Sequence, residues 1–279
     1  MKRKDPLIVF VHIPKTAGST INAALNAHFD RGFMHCEGMI DDLQSLARVA
    51  GDVDWISGHV PFHLMRGRLQ QVTDRPLRFF SIMREPVSQV CSHYNWLIEI
   101  HRRGGRFYRN HPEGIRKLSE QVRNTDNSDP AAIIENLRSN RGLFLNMQSS
   151  MLLGRNYDWN SGQLLKHLRK YEFVGTPQDL PELLKRMCGA EQPRPERHNS
   201  ALYHYDKAIF RTPRLTNFLM RSNFLDWTLY QSMQATRVRA AVSVEFRRSK
   251  KPKAPNNPRP IGTLRAVRGA QFLAPTEFP

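Results

Sequence analysis

The sequence predicts an α/β fold built on a central parallel sheet flanked by helices. Three observations carry this expectation. The apolar run Leu7 to Val11 leads through a loop of small and hydroxyl residues into the apolar-spaced segment Ile21 to Leu25. A second, nearly unbroken apolar run, Leu77 to Met83, is followed by Pro86 and a helical stripe. A third, Phe173 to Gly175, precedes Thr176-Pro177-Gln178-Asp179. Strands that are apolar throughout are buried on both faces, as in parallel sheets covered by helices.

Taken in order, Leu7 to His12 reads as the first strand and Ser19 or Thr20 to His28 as the first helix, with those hydroxyls as its cap. Asp41 and Asp42 are placed to cap a helix ending near Ala50, and Trp55 to Ser57 makes a short strand. Leu77 to Met83 is the next strand. The helix after Pro86 carries Val87, Val90, Cys91, Tyr94, Leu97 and Ile98 as one stripe. His101 to Asn127, rich in Arg, Gly and Asn, reads as a long connection. Helices are expected at Ala131 to Arg138 and Gly142 to Leu153. After the Phe173 to Gly175 strand, Thr176 to Asp179 supplies a hydroxyl cap, a first-turn proline and an acid at the third position. The last helices are placed at about Arg214 to Met220 and Asp226 to Phe246.

A chain of 279 residues with 40% apolar content suffices for one large α/β core. The three cysteines, Cys36, Cys91 and Cys188, are far apart and lack metal-ligand spacing, so neither a disulfide framework nor a zinc site is indicated. About five apolar residues separate the charged start from His12, too few for a signal or a membrane span. A cytoplasmic location is the expectation. With 42 Lys and Arg against 25 Asp and Glu, the net charge of +17 suggests an anionic partner or surface. From Arg237 to Arg268, ten basic residues face one acid, Glu245. We therefore read residues 1–248 as the folded domain and 249–279 as a basic, proline-rich, disordered or peripheral tail. That tail reads as a solubilising extension, or as an electrostatic attachment to anionic lipid at the inner face of a membrane or to polysaccharide.

The chemistry concentrates in His12-Ile13-Pro14-Lys15-Thr16-Ala17-Gly18-Ser19-Thr20. A lysine beside small and hydroxyl residues at a helix start offers an anion one mobile charge, backbone N–H donors and hydroxyls. The NTPase loop GxxxxGK[ST] needs a Gly-Lys pair, which the chain lacks, so nucleotide hydrolysis is disfavoured. Arg84 stands at the carboxyl end of the Leu77 to Met83 strand, where parallel α/β sheets bind ligands, and Ser92 lies eight residues on, along the next helix. A guanidinium grips phosphate bidentately and a hydroxyl supplies a further donor. Two separate anion grips on one sheet suggest a ligand with two separated phosphate groups.

Here the sequence resembles a known family. Lys15-Thr16-Ala17-Gly18-Ser19-Thr20 is similar to the 5′-phosphosulfate loop, and Arg84-Glu85-Pro86 with Ser92 to the 3′-phosphate motif, of the carbohydrate sulfotransferases that include the heparan sulfate and chondroitin enzymes. Weaker matches follow at Gly58-His59-Val60, Asn146-Met147-Gln148, Phe173-Val174-Gly175, Arg197-His198-Asn199-Ser200, Leu225-Asp226 and Leu229-Tyr230, so the likeness spans roughly Leu7 to Tyr230. It implies a three-layer fold like that of P-loop kinases and sulfuryl transfer from 3′-phosphoadenosine 5′-phosphosulfate (PAPS) to a carbohydrate or glycolipid hydroxyl. Adenosine 3′,5′-bisphosphate (PAP) would be the product, and no metal is required. Lys15 would stabilise the leaving 5′-phosphate oxygen, Thr16 to Thr20 would hold the 5′ end, and Arg84 and Ser92 the 3′-phosphate. His59 falls at the family's catalytic Gly-His position, after a short apolar strand, and becomes the candidate base. His12 and His63 are the next candidates. Two departures stand out. Gln89 replaces a usual arginine, and the missing anchor and disulfide pattern point to a bacterial-type member.

Two other classes compete with this reading. A non-enzymatic polyanion binder explains the charge but not the two ordered motifs; a kinase-like phosphotransferase is opposed by the missing Gly-Lys. No specific nucleic-acid partner is expected.

Overall fold

Every position of β1 (Leu7–Val11) is buried, and its alternation divides the interior in two. Leu7, Val9 and Val11 join one apolar cluster, Ile8 and Phe10 another, because successive side chains of a strand point to opposite faces. The computed structural model of the chain describes residues 5–154, 166–189 and 202–235. In it β1 is the middle strand of a five-stranded sheet of order β2-β3-β1-β4-β5, with β2 Gly32–Phe33, β3 Trp55–Gly58, β4 Leu77–Ile82 and β5 Phe173–Gly175. All the pairings are parallel.

The helices are α1 (Gly18–His28), α2 (Leu43–Asp52), α3 (Phe62–Val72), α4 (Pro86–Arg103), α5 (Gly105–Arg109), α6 (Glu113–Asn124), α7 (Pro130–Ser139), α8 (Arg141–Phe144), α9 (Met147–Leu153), α10 (Leu180–Cys188) and α11 (Pro213–Ser222), with residues 224–235 also helical. Ile21 and Leu25 of α1 and Leu183 and Met187 of α10 cover the Ile8 and Phe10 face. Leu46 of α2, Met65 and Leu69 of α3, and Leu152 of α9 cover the other. This is the expected α/β arrangement of a parallel sheet flanked by helices. A third cluster contains no strand residue and joins α4, α6, α7 and α11 through Tyr94, Leu97, Val122, Ile133 and Leu215.

Several expectations need correction. No hydroxyl caps α1: its N-cap is Ala17, and Ser19 and Thr20 lie inside the first turn. His101 to Asn127 is not an irregular connection. α4 runs on to Arg103, Gly104 and Gly105 turn the chain at positive φ (57° and 52°), and α6 buries Leu118, Ser119 and Val122. The many polar residues of this stretch hid the apolar spacing Ile115, Leu118 and Val122. The expected Gly142 to Leu153 helix is broken at Asn146, whose φ is 51°. Helix α3 and the two-residue β2 were not anticipated.

Other local signals hold. The Asp42 carboxylate accepts from the Ser45 N–H at 3.1 Å to cap α2. Glu85 accepts from the Val87 and Ser88 N–H groups at 3.0 and 2.7 Å ahead of Pro86, capping α4. The Asp179 carboxylate accepts from the Thr176 N–H at 2.8 Å. The last expected helix begins at residue 224 and is described to 235. Its remainder, the 248/249 boundary, the basic tail and the Arg197 to Ser200 turn lie outside the described residues. Among the described residues no helix is long and apolar enough to cross a membrane.

Candidate active site

The sheet places three candidate side chains side by side. Val11, the last residue of β1, is level with Gly58 on β3 and Ser81 on β4. His59 therefore follows the end of β3, the Lys15 loop follows the end of β1, and Arg84 follows the end of β4. These are the carboxyl ends of adjacent parallel strands, where α/β sheets bind ligands.

The loop is shaped by two non-glycine residues at positive φ, Lys15 at 66° and Ala17 at 80°. Such conformations cost free energy and persist where the surroundings impose them. The Thr16 hydroxyl, fully buried, donates to the Ile13 carbonyl at 2.9 Å and so braces the loop; its N–H, not its hydroxyl, is left for a ligand. Gln89 replaces the expected arginine and donates from Nε2 to the Pro14 carbonyl at 3.0 Å, tying α4 to the loop. Gly18 is required sterically: a Cβ there would lie 1.7 Å from His12 Nε2. No side chain caps α1, and the start of a helix is where backbone N–H groups can receive an anion. Ser19 is exposed and Thr20 half-buried at this end.

Lys15 is half-buried, and burial lowers its pKa, followed by the repulsion of Arg84 and Arg103, with Glu99 acting in the opposite direction. Among the described residues neither Lys15 nor Arg84 is ion-paired. Like charges held together with no direct ion pair among the described residues favour the arrival of an anion.

Arg84 is fixed through its backbone. The buried Gln148 side chain accepts from the Arg84 N–H at 2.8 Å and donates to its carbonyl at 2.9 Å. Gln148 is held in turn by Asp226, whose carboxylate accepts from the Gln148 N–H at 3.2 Å and the Ser149 N–H at 2.7 Å. Burial raises the Asp226 pKa to about 6, against the opposing pull of those hydrogen bonds. The Asn146 side-chain oxygen accepts from the Leu225 and Asp226 N–H groups at 3.0 and 3.4 Å, so Asn146, Gln148 and Asp226 form one support behind Arg84. Ser92 is buried on α4 and lies close to Tyr203, whose hydroxyl also senses the Arg84 charge. The segment carrying Tyr203 is strapped to α4: Asn95 donates to the Leu202 carbonyl at 3.0 Å and accepts from the His204 N–H at 2.9 Å.

His59 has a fixed tautomer. Its Nδ1 lies 2.7 Å from the His12 carbonyl, which only accepts, so Nδ1 carries the proton and Nε2 the lone pair. Burial lowers the His59 pKa below its ordinary 6.5, while Glu37 and the His12 carbonyl oppose the shift. Neutral His59 with a free Nε2 is the form a general base needs. Glu37 also accepts from the His59 N–H at 3.0 Å, and His12 packs on His59 with ring centroids 4.2 Å apart. His12 is itself buried and its pKa lowered, chiefly by burial. His63 lies on the exposed side of α3 and has no hydrogen-bond partner among the described residues.

Sequence reasoning missed Glu37, His35, His93 and Tyr203. His93 is buried on α4, its pKa lowered to about 3 by burial and then by Lys15 and His59, and its Nδ1 has no partner among the described residues. Glu37 sits in a short helical turn with no periodic signal, and Tyr203 arrives from more than a hundred residues away. His35, Glu37 and His59 bring donor atoms within 4.8 Å of one another, a set able to hold a cation.

No protein-family model matches the chain, and no curated protein matches it. Among solved structures it is similar to the crystal structure of mouse sulfotransferase SULT7A1 complexed with PAP: 13% identity, TM-score 0.31, covering 82% of this chain and 89% of that one. A likeness this distant assigns no activity here; the chemistry has to come from the chain's own side chains.

Proposed function

We propose that this chain is a PAPS-dependent sulfotransferase that passes a sulfuryl group in line to a hydroxyl of a carbohydrate or glycolipid. The observation that supports this best is the row of Lys15, His59 and Arg84 after the ends of adjacent strands β1, β3 and β4. In strand order β3, β1 and β4 it offers a base, an anion grip and a second anion grip. Bound PAPS would supply an activated sulfuryl group on a 5′-phosphate leaving group.

The chain's own groups divide the remaining work. Lys15 and the N-terminal end of α1 receive the 5′ end, with the Lys15 charge set against the oxygen on which negative charge builds. Arg84, aimed by the Gln148 clamp, holds the 3′-phosphate together with the hydroxyls of Ser92 and Tyr203. His59 Nε2 takes the proton of the acceptor hydroxyl as the acceptor O–S bond forms and the S–O bond to phosphate breaks. The Nδ1–H stays on the imidazole, donating to the His12 carbonyl. No step in this scheme draws on a metal.

The test is transfer of labelled sulfate from PAPS to a panel of glycans and glycolipids. Wild type is expected to label an acceptor, and His59→Ala to label none while still binding PAP. Failure of wild type to bind PAP would refute the transferase reading, and equal loss of PAP binding in His59→Ala would remove the base assignment.

A further inference from the structure

Away from the strand ends, two helix faces meet around a cleft of about 1120 Å³. On α7 the lining positions include Glu135 and Arg138, and on α11 Arg214, Phe218 and Arg221; Arg141 of α8 closes the same cleft. The spacing on α11, four residues and then three, keeps its three on one face of the helix. All four arginines are exposed, and none forms an ion pair or hydrogen bond among the described residues. The single acid, Glu135, accepts from the Ser139 hydroxyl at 3.2 Å. Arg214 stands in the first turn of α11, where the helix dipole disfavours a cation. Four like charges around one cleft repel one another, and an anionic ligand would offset this.

The geometry points to a second binding site, for a linear anionic polysaccharide bearing sulfate or carboxylate groups, separate from the transfer site. Guanidinium forks match such oxyanions bidentately. The volume exceeds the ~300–1,000 Å³ of ordinary small-molecule sites, which suits several units of a chain. Single-stranded nucleic acid binds through open aromatic platforms. Here Phe218 is the aromatic lining residue, and Arg138 already covers its ring at 5.2 Å. A concave cleft also does not present its charges to a flat lipid surface. This site does not depend on the proposed transferase activity. Asn146, which lines the cleft, donates to the Ser222 carbonyl at 3.0 Å, so the cleft is built on the same support that stands behind Arg84.

The test uses a size-defined heparin oligosaccharide titrated calorimetrically into the full chain at several salt concentrations. A variant with Arg138→Ser, Arg141→Ser, Arg214→Ser and Arg221→Ser is compared with a charge-matched control carrying Lys166→Ser, Arg169→Ser, Lys170→Ser and Lys185→Ser, all exposed elsewhere. The cleft variant is expected to bind at least about tenfold more weakly and to lose about 3 from the log–log salt slope, at ~0.7 per lost contact. The control is expected to keep most of the affinity, and both are expected to bind PAP like wild type. Equal weakening of the two variants would overturn the proposal by reducing it to net charge. Absence of oligosaccharide binding by wild type would overturn it outright. Equally tight, cleft-dependent binding of a charge-matched oligothymidine would assign the cleft to nucleic acid and overturn it too.

Discussion

Gly18→Ala isolates the contact on which the loop and His59 both depend. A Cβ at residue 18 would meet His12 Nε2 at 1.7 Å, Cδ2 at 2.0 Å and Cε1 at 2.5 Å, where ordinary contact begins at 3.4 Å. The obstacle is a buried ring, packed against Phe10 at 5.6 Å and His59 at 4.2 Å between centroids, so it has no free direction to move. Overpacking of this kind costs about 1–3 kcal/mol, and the overlap argues for the upper end. Replacing glycine at a helical position returns roughly 0.5–1 kcal/mol. The net loss is therefore about 2 kcal/mol, or a fall in Tm of about 4–8 °C for a domain of this size. In a His12→Ala background the clash is gone and only the helix gain remains, so the double-mutant cycle should show a coupling of about 3 kcal/mol. Thermal melts of the four proteins measure it. An unchanged Tm in Gly18→Ala, or an equal loss in both backgrounds, would refute the steric argument.

Lys15→Ala and Arg84→Ala are each expected to weaken PAP binding by about 1.5–3 kcal/mol, the range for hydrogen bonds to charged groups, by calorimetry. The pH profile of transfer reports His59. Because burial lowers its pKa below 6.5, the rate should hold through neutral pH and fall only as pH drops through that lowered value. Glu37 opposes the lowering, so Glu37→Gln should move this acid limb further down in pH. Asp226→Asn leaves one buried N–H of Gln148 or Ser149 facing an amide donor, a cost of about 1–3 kcal/mol, and loosens the Arg84 clamp. Denaturant unfolding and PAP titration should both register it. Added Zn²⁺ should inhibit transfer by engaging the His59 ring together with His35 and Glu37, and a chelator should restore it.

Four of the five strands were legible because a sheet buried on both faces leaves continuous or nearly continuous apolar runs, as in Leu7 to Val11 and Leu77 to Ile82, whereas the two-residue β2 left none. The strand-end positions of Lys15, His59 and Arg84 followed from those runs. What the sequence hid falls into two kinds. Helices α3 and α6 carry one narrow apolar side among polar residues, and in α6 the high polar content masks a clear 3–4 spacing of Ile115, Leu118 and Val122. The supports of the site are long-range: Gln148 reaches Arg84 across 64 residues, and Glu37 reaches the His59 N–H across 22. No local pattern announces such pairs. The Asn146-Met147-Gln148 and Leu225-Asp226 matches did mark residues that meet, although nothing in their spacing said that they meet behind Arg84. The hydroxyl cap assigned to α1 failed because Ala17, at positive φ, takes the N-cap position and puts Ser19 and Thr20 inside the first turn.

The central claim is a site with two anion grips, one at Lys15 and one at Arg84. Calorimetric titration of the full chain with PAP, and in parallel with adenosine 5′-monophosphate and ATP, tests it most directly. The account predicts micromolar binding of PAP, binding of the monophosphate weaker by about 1.5–3 kcal/mol, the value of one lost charged grip, and no preference for ATP. Equal affinity for PAP and the monophosphate, or ATP binding more tightly than PAP, would contradict it.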